Sequence, residues 1–190
     1  MSDLLEDLRQ QDKWRDQFPE SFVRYTVLCA SLHDIGKLQI PDAILNKPGK
    51  FTSEEFEQMK LHTIYGEVLI QRTLNGLVDD NELKIARNIV RSHHERWDGT
   101  GYPDGLAGED IPVEARVMAL ADVFDALTHE RCYKRAFSVE EAIAIIEEGR
   151  GTQFDPEMTD VFVKRRRKEG NTIDDDRIRR LQHLQFGGQG

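Results

Sequence analysis

Histidine and aspartate residues recur beside apolar, helix-like stretches of this sequence. His33-Asp34 and His93-His94 each follow such a stretch. Buried imidazole and carboxylate groups need partners, and a metal ion is one way to supply them. Adjacent residues on a helix diverge by about 100°, so two vicinal histidines share one ion most easily where the helix is ending. The alternative is a helix-end imidazolium that interacts with the helix dipole.

An aspartate inside an apolar helix is the second indication of a site. Asp122 lies within MALADVFDALT, residues 118–128, the most apolar predicted helix. A carboxylate there needs a cation or several donors, because unpaired burial is costly. Asp125 lies three residues further on and shares roughly the same face. His62, near the start of its own predicted helix, would be an ordinary histidine without the others.

Together these residues form a candidate ligand set without thiolate. Imidazole and carboxylate ligands suit iron, manganese or zinc. Six ligands are too many for one tetrahedral ion, but they suit two ions bridged by an aspartate and a water. Such pairs are typical of phosphate-ester hydrolysis, where they activate water and clamp the phosphate oxygens. The set comprises His33, Asp34, His62, His93, His94 and Asp122.

The elements that must position this set are predicted to be helices, and the fold class is all-α. Apolar periodicity predicts helices over 2–17, 20–33, 60–73, 81–94 and 112–128, with one turn at 41–45. Capping boxes at Thr52 and Ser138 open two more, and Asp155-Pro156 opens a last one. Four glycines make residues 98–112 a loop. No strand-like alternation of useful length is present.

Composition excludes several classes of protein. The 190 residues carry 26 basic and 35 acidic side chains, a net charge of −9, which argues against DNA, RNA or membrane-surface binding. No apolar run approaches the roughly 20 residues of a membrane span. Cys29 and Cys132 fit no zinc or disulfide pattern, and the acidic amino terminus is unlike a signal peptide, so we expect a cytoplasmic protein.

In order and spacing, these motifs resemble the HD-GYP subgroup of the HD-domain metal-dependent phosphohydrolases. The resemblance runs from residue 31 to about 163 through HDIGK, HHERWDGTGYP, ADVFDALT and GTQFDPEM. It implies an HD-domain helical bundle with a C-terminal helical extension that carries the GYP features. It divides the chain into an N-terminal segment (1–30), a catalytic core (31–163) and a charged tail (164–190). The tail is expected to be solvated, with a partner surface as the alternative.

The resemblance also implies an activity and a metal centre. The activity is hydrolysis of cyclic di-GMP to pGpG or GMP with two divalent ions, iron or manganese. Asp34 would bridge the ions, three histidines would complete one shell, and a histidine and an aspartate would serve the other ion. The three are His62, His93 and His94, and the pair is His33 and Asp122.

Further roles follow for residues around the metals. Lys37, Arg131 and Lys134 would hold the phosphodiester. Tyr102, in the GYP loop formed by Gly101, Tyr102 and Pro103, could stack on guanine or on a protein partner. Asp125 would orient His33, Lys37 or a water.

Two departures from the family pattern keep other functions open. No histidine precedes His33, so one ion is a ligand short; water or Glu6 could replace it, or a domain cut could have removed it. Cys132 stands where the family usually has proline. Two alternatives to the phosphodiesterase therefore remain. One is a degenerate module that binds nucleotide or a protein partner without turnover, and the other is a phosphohydrolase acting on another nucleotide.

Overall fold

The computed structural model describes residues 1–129 and 136–169, and within them the all-α prediction is confirmed. These residues contain no strand; an isolated bridge joins Arg150 to Phe154. The expectations for Arg131, Cys132 and Lys134 lie outside the described residues. None of the helices in the described part of the chain is long and apolar enough to cross a membrane.

The helices follow one another with short connections. In chain order they are α1 (Ser2–Arg9), α2 (Asp12–Arg15), α3 (Glu20–Cys29), α4 (Asp42–Leu45), α5 (Ser53–Lys60), α6 (His62–Leu74), α7 (Asp80–Ser92), α8 (Val113–Thr128) and α9 (Val139–Glu148). Residues 156–169 form α10. Short 3-10 turns cover Ala30–Leu32, Ile35–Gln39 and Gly108–Asp110.

Polar side chains begin several helices where the sequence predicts. Thr52 and Ser138 both form capping boxes, with Glu55 and Glu141 as reciprocal partners. Asp155 Oδ1 accepts hydrogen bonds from the backbone N–H groups of residues 157 and 158, 2.9 and 3.2 Å away, and so caps α10.

The predicted single helix over 2–17 is wrong, because the chain turns between α1 and α2. Gln11 has an extended backbone conformation. On one straight helix, Trp14 would point about 120° away from the apolar face formed by Leu4, Leu5 and Leu8. The break lets all four side chains enter the same core, where each is at most 4% exposed.

Apolar side chains of the described helices pack into two clusters. One joins α1 to α8, α9 and α10 through Leu8, Leu120, Ile146 and Met158. The other surrounds Ile89 of α7. Residues on both sides of position 30 share these clusters, and α10 continues past residue 164. The N-terminal segment 1–30 therefore shares its packing with the predicted core 31–163, and α10 crosses the predicted start of the tail at 164 and continues to residue 169.

A close backbone approach places the His33-Asp34 segment beside α6. A Cβ atom added to Gly36 would lie 1.9 Å from the carbonyl oxygen of His62 and 2.4 Å from the backbone nitrogen of Gly66. Only glycine allows the 3-10 turn at 35–39 to pack this closely on α6. The glycine of HDIGK thus brings two parts of the ligand set together.

Replacing Leu8 should show that the N-terminal helix belongs to the core. Leu8 is fully buried, whereas Leu77 is 76% exposed. We expect Leu8→Ala to lower the free energy of unfolding by about 2–5 kcal/mol, through lost burial and the cavity left behind. Leu77→Ala, the matched control, should change it by less than about 0.5 kcal/mol. Urea unfolding measures both, and equal effects would contradict the packing of α1.

Gly36→Ala should destabilise the fold through a direct backbone clash. We expect a cost of at least about 3 kcal/mol, at the upper end for an overpacked site. Gly76→Ala is the control: its φ is +77° but no atom lies within 4 Å of an added Cβ. That variant should cost only the roughly 1 kcal/mol of a left-handed residue. Thermal and urea unfolding report both values, and similar costs would refute the close approach.

Candidate metal centre

The Asp34 carboxylate lies between two groups of imidazole rings. Its Oδ1 is 3.4 Å from His62 Nε2 and 3.8 Å from His93 Nε2. Its Oδ2 is 3.4 Å from His33 Nε2 and accepts a hydrogen bond from Lys37 Nζ. The two oxygens of one carboxylate thus face different partners, which is the arrangement that a bridging ligand requires.

Backbone carbonyls fix the orientation of the three rings around Asp34. Nδ1 of His33 donates to the Ala30 carbonyl at 2.7 Å, and Nδ1 of His62 donates to the Met59 carbonyl at 2.7 Å. Nδ1 of His93 lies 3.0 Å from the carbonyl of residue 89. With the proton held on Nδ1, Nε2 of each ring is turned toward the carboxylate. This is the tautomer that a ligating histidine uses.

The end of α7 adds His94 to the cluster. Because α7 ends at Ser92, the two following histidines escape helical divergence, and their ring centroids lie 4.1 Å apart. One potential ligand atom each from Asp34, His62, His93 and His94 all lie within 4.8 Å of one another. Protein ligands bind transition metals at about 2.0–2.2 Å, so this group needs little contraction to surround one ion.

Asp122 extends the cluster on its other side. Its Oδ1 lies 3.5 Å from His33 Nε2, and its side chain is 25% exposed. The apolar helix α8 therefore carries this carboxylate to the His33 side of Asp34, the pairing that the family resemblance implies. A second group of potential ligands comprises His33, Asp122 and Asp34 Oδ2.

Burial sets the protonation of the first group. It lowers the pKa of His93 to about 3, that of His94 to about 4, and that of His62 in the same direction. These rings are neutral near pH 7, the form that binds a metal.

The acidic neighbours reverse the effect of burial at His33. Burial by itself lowers the pKa of His33, but hydrogen bonds to Asp122 and Asp34 outweigh it and raise the pKa to about 10. Burial likewise tends to raise the pKa of Asp34, but its hydrogen bonds with His33 and Lys37 hold that pKa well below its usual range. The positive charges of His33 and Lys37 thus lie beside the carboxylates of Asp34 and Asp122.

An unsatisfied oxygen shows that the cluster suits a cation. Asp34 Oδ1 is buried and has no hydrogen-bond partner within the described residues. A buried acceptor without a partner is costly, and a divalent ion would satisfy it. The nitrogen and oxygen donors without thiolate fit iron, manganese or zinc.

Glu95 organises the loop beside the cluster. Its carboxylate is 3% exposed and accepts hydrogen bonds from the backbone N–H groups of Asp104 at 2.7 Å and Leu106 at 3.1 Å. A Cβ atom on Gly101 would lie 2.5 Å from Glu95 Cα, so the GYP loop passes directly over this residue. Sequence reasoning gave Glu95 no role. The available signal was a carboxylate between the paired histidines and a glycine-rich loop.

Tyr102 lies where the loop meets the histidines. Its ring centroid is 4.8 Å from that of His94 and 6.4 Å from that of His62. Burial raises the pKa of its hydroxyl, so the side chain is neutral. The predicted aromatic residue therefore borders the candidate metal centre.

Two other residues lie away from this cluster. The Asp125 carboxylate is 70% exposed and pairs with His129 at 3.2 Å, so its placement does not fit the expected orientation of His33 or Lys37. On α8, Asp122 and Asp125 differ in direction enough to separate them. Glu6 is exposed and pairs with Arg9 at 3.5 Å, which does not fit the replacement of the upstream ligand.

Comparison with known proteins identifies relatives of the chain. A family model described as HD domain matches residues 3–158. A probable cyclic di-GMP phosphodiesterase of Vibrio cholerae is 46% identical over 173 residues, which are 90% of this chain and 38% of the relative. A cyclic di-GMP phosphodiesterase of the same organism is 48% identical over 143 residues, 75% of this chain and 29% of the relative.

A relative with another named substrate is also similar. The 3'3'-cGAMP-specific phosphodiesterase 2 of Vibrio cholerae is 40% identical over 133 residues, 70% of this chain and 24% of the relative. The chain thus spans 24–38% of the length of these three curated relatives. Since the family model covers most of the chain, and since its HDIGK and GYP motifs lie where the fold brings them together, the chain belongs to the HD domain family and to its HD-GYP subgroup.

Proposed function

We propose that this chain hydrolyses cyclic di-GMP to pGpG or GMP with two divalent ions, iron or manganese. The observation that carries the proposal is the Asp34 carboxylate, whose oxygens face separate imidazole groups 3.4 Å away on each side. Relatives named cyclic di-GMP phosphodiesterases support the substrate. A cytoplasmic location remains part of the proposal.

The ligand set divides between the two ions. Asp34 Oδ1 with three neutral imidazoles would hold one ion, and Asp34 Oδ2 with His33 and Asp122 would hold the other. The three imidazoles belong to His62, His93 and His94. When bound, the ions would supply water activation and neutralisation of charge on the phosphate oxygens.

Cationic side chains would position the phosphodiester. Lys37 Nζ lies beside Asp34, so its ammonium group can neutralise phosphate charge at the centre. Arg131 and Lys134 are proposed for the same role from the sequence. Together with the ions, these side chains would offset the acidic balance of the chain and favour an anionic dinucleotide locally.

Tyr102 and its loop have a role at the edge of the site. The ring borders His94 and would contact a base of the substrate. A protein partner that binds the GYP loop is the second role we propose for it.

Turnover by the metal-loaded chain tests this function. We expect release of pGpG or GMP from cyclic di-GMP with iron(II) or manganese(II). His33→Ala and Asp34→Ala should each lower kcat/KM by more than about a hundredfold, because losing a ligand costs more than the 10–100-fold loss of an outer hydrogen-bond partner. Product chromatography measures both products, and turnover that survives either substitution would contradict the assignment.

A matched pair of aspartates on α8 provides a sharper comparison. Asp122→Asn should abolish turnover like the ligand variants, whereas Asp125→Asn should retain the wild-type kcat/KM because its carboxylate is exposed. If Asp125→Asn lowered kcat/KM as much as Asp122→Asn, Asp125 would have the role in orienting His33, Lys37 or a water that the sequence predicts.

Metal content distinguishes the enzyme from a binding module. The exposed position of Glu6 favours a shortage of ligands on the His33 side, which is the observation that supports the module. For the enzyme we expect two ions per chain in anaerobically purified protein, measured by elemental mass spectrometry. Asp34→Ala should lose both ions because it removes the bridging oxygens. One ion or none in the wild-type protein would favour a module that binds nucleotide or a partner without turnover.

A further inference from the structure

An aromatic corner lies between α5 and the GYP loop. The rings of Phe56 and Tyr102 have centroids 6.2 Å apart and meet at 82°. Tyr102 also lies against His94, so the corner begins at the candidate metal centre and extends outward. Phe56 is 46% exposed, which leaves a large aromatic surface open at its outer end.

A lysine ammonium group lies over both rings of this corner. Lys60 Nζ is 5.5 Å from the centroid of Phe56 and 5.7 Å from that of Tyr102. It also pairs with the exposed carboxylate of Glu57 at 2.6 Å. An ammonium group has three donors, and this ion pair uses one. Lys60 follows Phe56 by one helical turn, so α5 itself fixes their relation.

The exposure of this cluster sets it apart from a core contact. Arg116 also lies over aromatic rings, at 5.8 Å from Trp14, but its side chain is only 9% exposed and pairs with Asp155. Phe56 is instead exposed and the Lys60 side chain is 25% exposed, so this cluster reaches the surface next to the ligand set. An exposed aromatic face with a cation beside it is suited to a ligand that offers both a π-face and acceptor atoms.

A guanine base meets both requirements. Any base stacks on an aromatic ring, but guanine presents the N7 and O6 acceptors on one edge, to which lysine donates. Adenine carries an amino donor in place of O6, and this group opposes an ammonium. Through Tyr102 the corner contacts His94 of the metal cluster. A nucleotide whose phosphate is held at the metal cluster could therefore place its base against the corner.

We propose that Phe56, Lys60 and Tyr102 bind a guanine base of the substrate, and that Lys60 selects guanine over adenine. This inference rests on the proposed function, because the corner selects a base only if the phosphate is held at the metal centre. In this proposal the rings of Phe56 and Tyr102 contribute affinity for any base, and the Lys60 ammonium group contributes specificity for guanine.

Binding of non-hydrolysable analogues tests the two assignments separately. The probes are the bisphosphorothioate analogues of cyclic di-GMP and cyclic di-AMP, titrated by calorimetry into the metal-loaded full chain. We expect the wild-type protein to prefer the guanine analogue and Lys60→Met to reduce this preference about tenfold. Lys60→Arg restores a donor to O6 and N7 and should keep the preference. Phe56→Ala should weaken both analogues about tenfold, since stacking does not depend on the base.

Control variants and a separate assay make each outcome decisive. Lys84→Met removes an exposed lysine of α7 and should leave both dissociation constants unchanged. Melting temperatures show that each variant is folded. If Lys60→Met weakened both analogues equally, or changed neither, the selection by Lys60 would be wrong.

Turnover of cyclic di-GMP is measured on the same wild-type sample. Guanine-selective binding without turnover would contradict the proposed function and support the corner. Turnover with a purine preference that Lys60→Met does not change would contradict the corner alone.

Discussion

The shared carboxylate of Asp34 is the interaction on which the site depends. A single half-buried aspartate faces imidazoles from three different parts of the chain, and its buried oxygen, Oδ1, has no hydrogen-bond partner within the described residues. Such an oxygen is unfavourable without a cation. The surrounding packing therefore maintains an arrangement that a bound cation would stabilise. Gly36 lets the Asp34 segment pack closely on α6, and the end of α7 at Ser92 lets the paired histidines lie beside it.

Much of the candidate site could be predicted because its polar, metal-binding residue types lie at positions that the apolar pattern marks as buried. Paired histidines at a helix end and an aspartate in an apolar helix are costly to bury unless they bind an ion or one another. The fold brings Asp34, His62, His93 and His94 together. Asp122 also lies beside His33. Helix ends with side-chain caps were predictable for a related reason, since a cap is a local signal.

The remaining features depend on tertiary contacts that local sequence does not encode. Asp125 lies three residues from Asp122, and helical spacing alone does not decide which of the two points into the cluster. The break between α1 and α2 follows from the need to bury Trp14 with the leucines, and neither glycine nor proline marks it in the sequence. Glu95 gains its role from loop N–H groups nine and eleven residues away.

Glu95 has a consequence for motion in this region. It follows His94 directly, and its carboxylate holds the backbone at Asp104 and Leu106 on the far side of Tyr102. Arg91 of α7 strengthens this connection with a two-pronged ion pair to Asp104, with N–O distances of 2.8 and 2.7 Å. Several hydrogen bonds thus connect the GYP loop to the end of α7, so we expect the two segments to move together. Any movement that displaces the tyrosine ring also disturbs the paired histidines, so the GYP loop cannot change shape independently of the candidate metal centre.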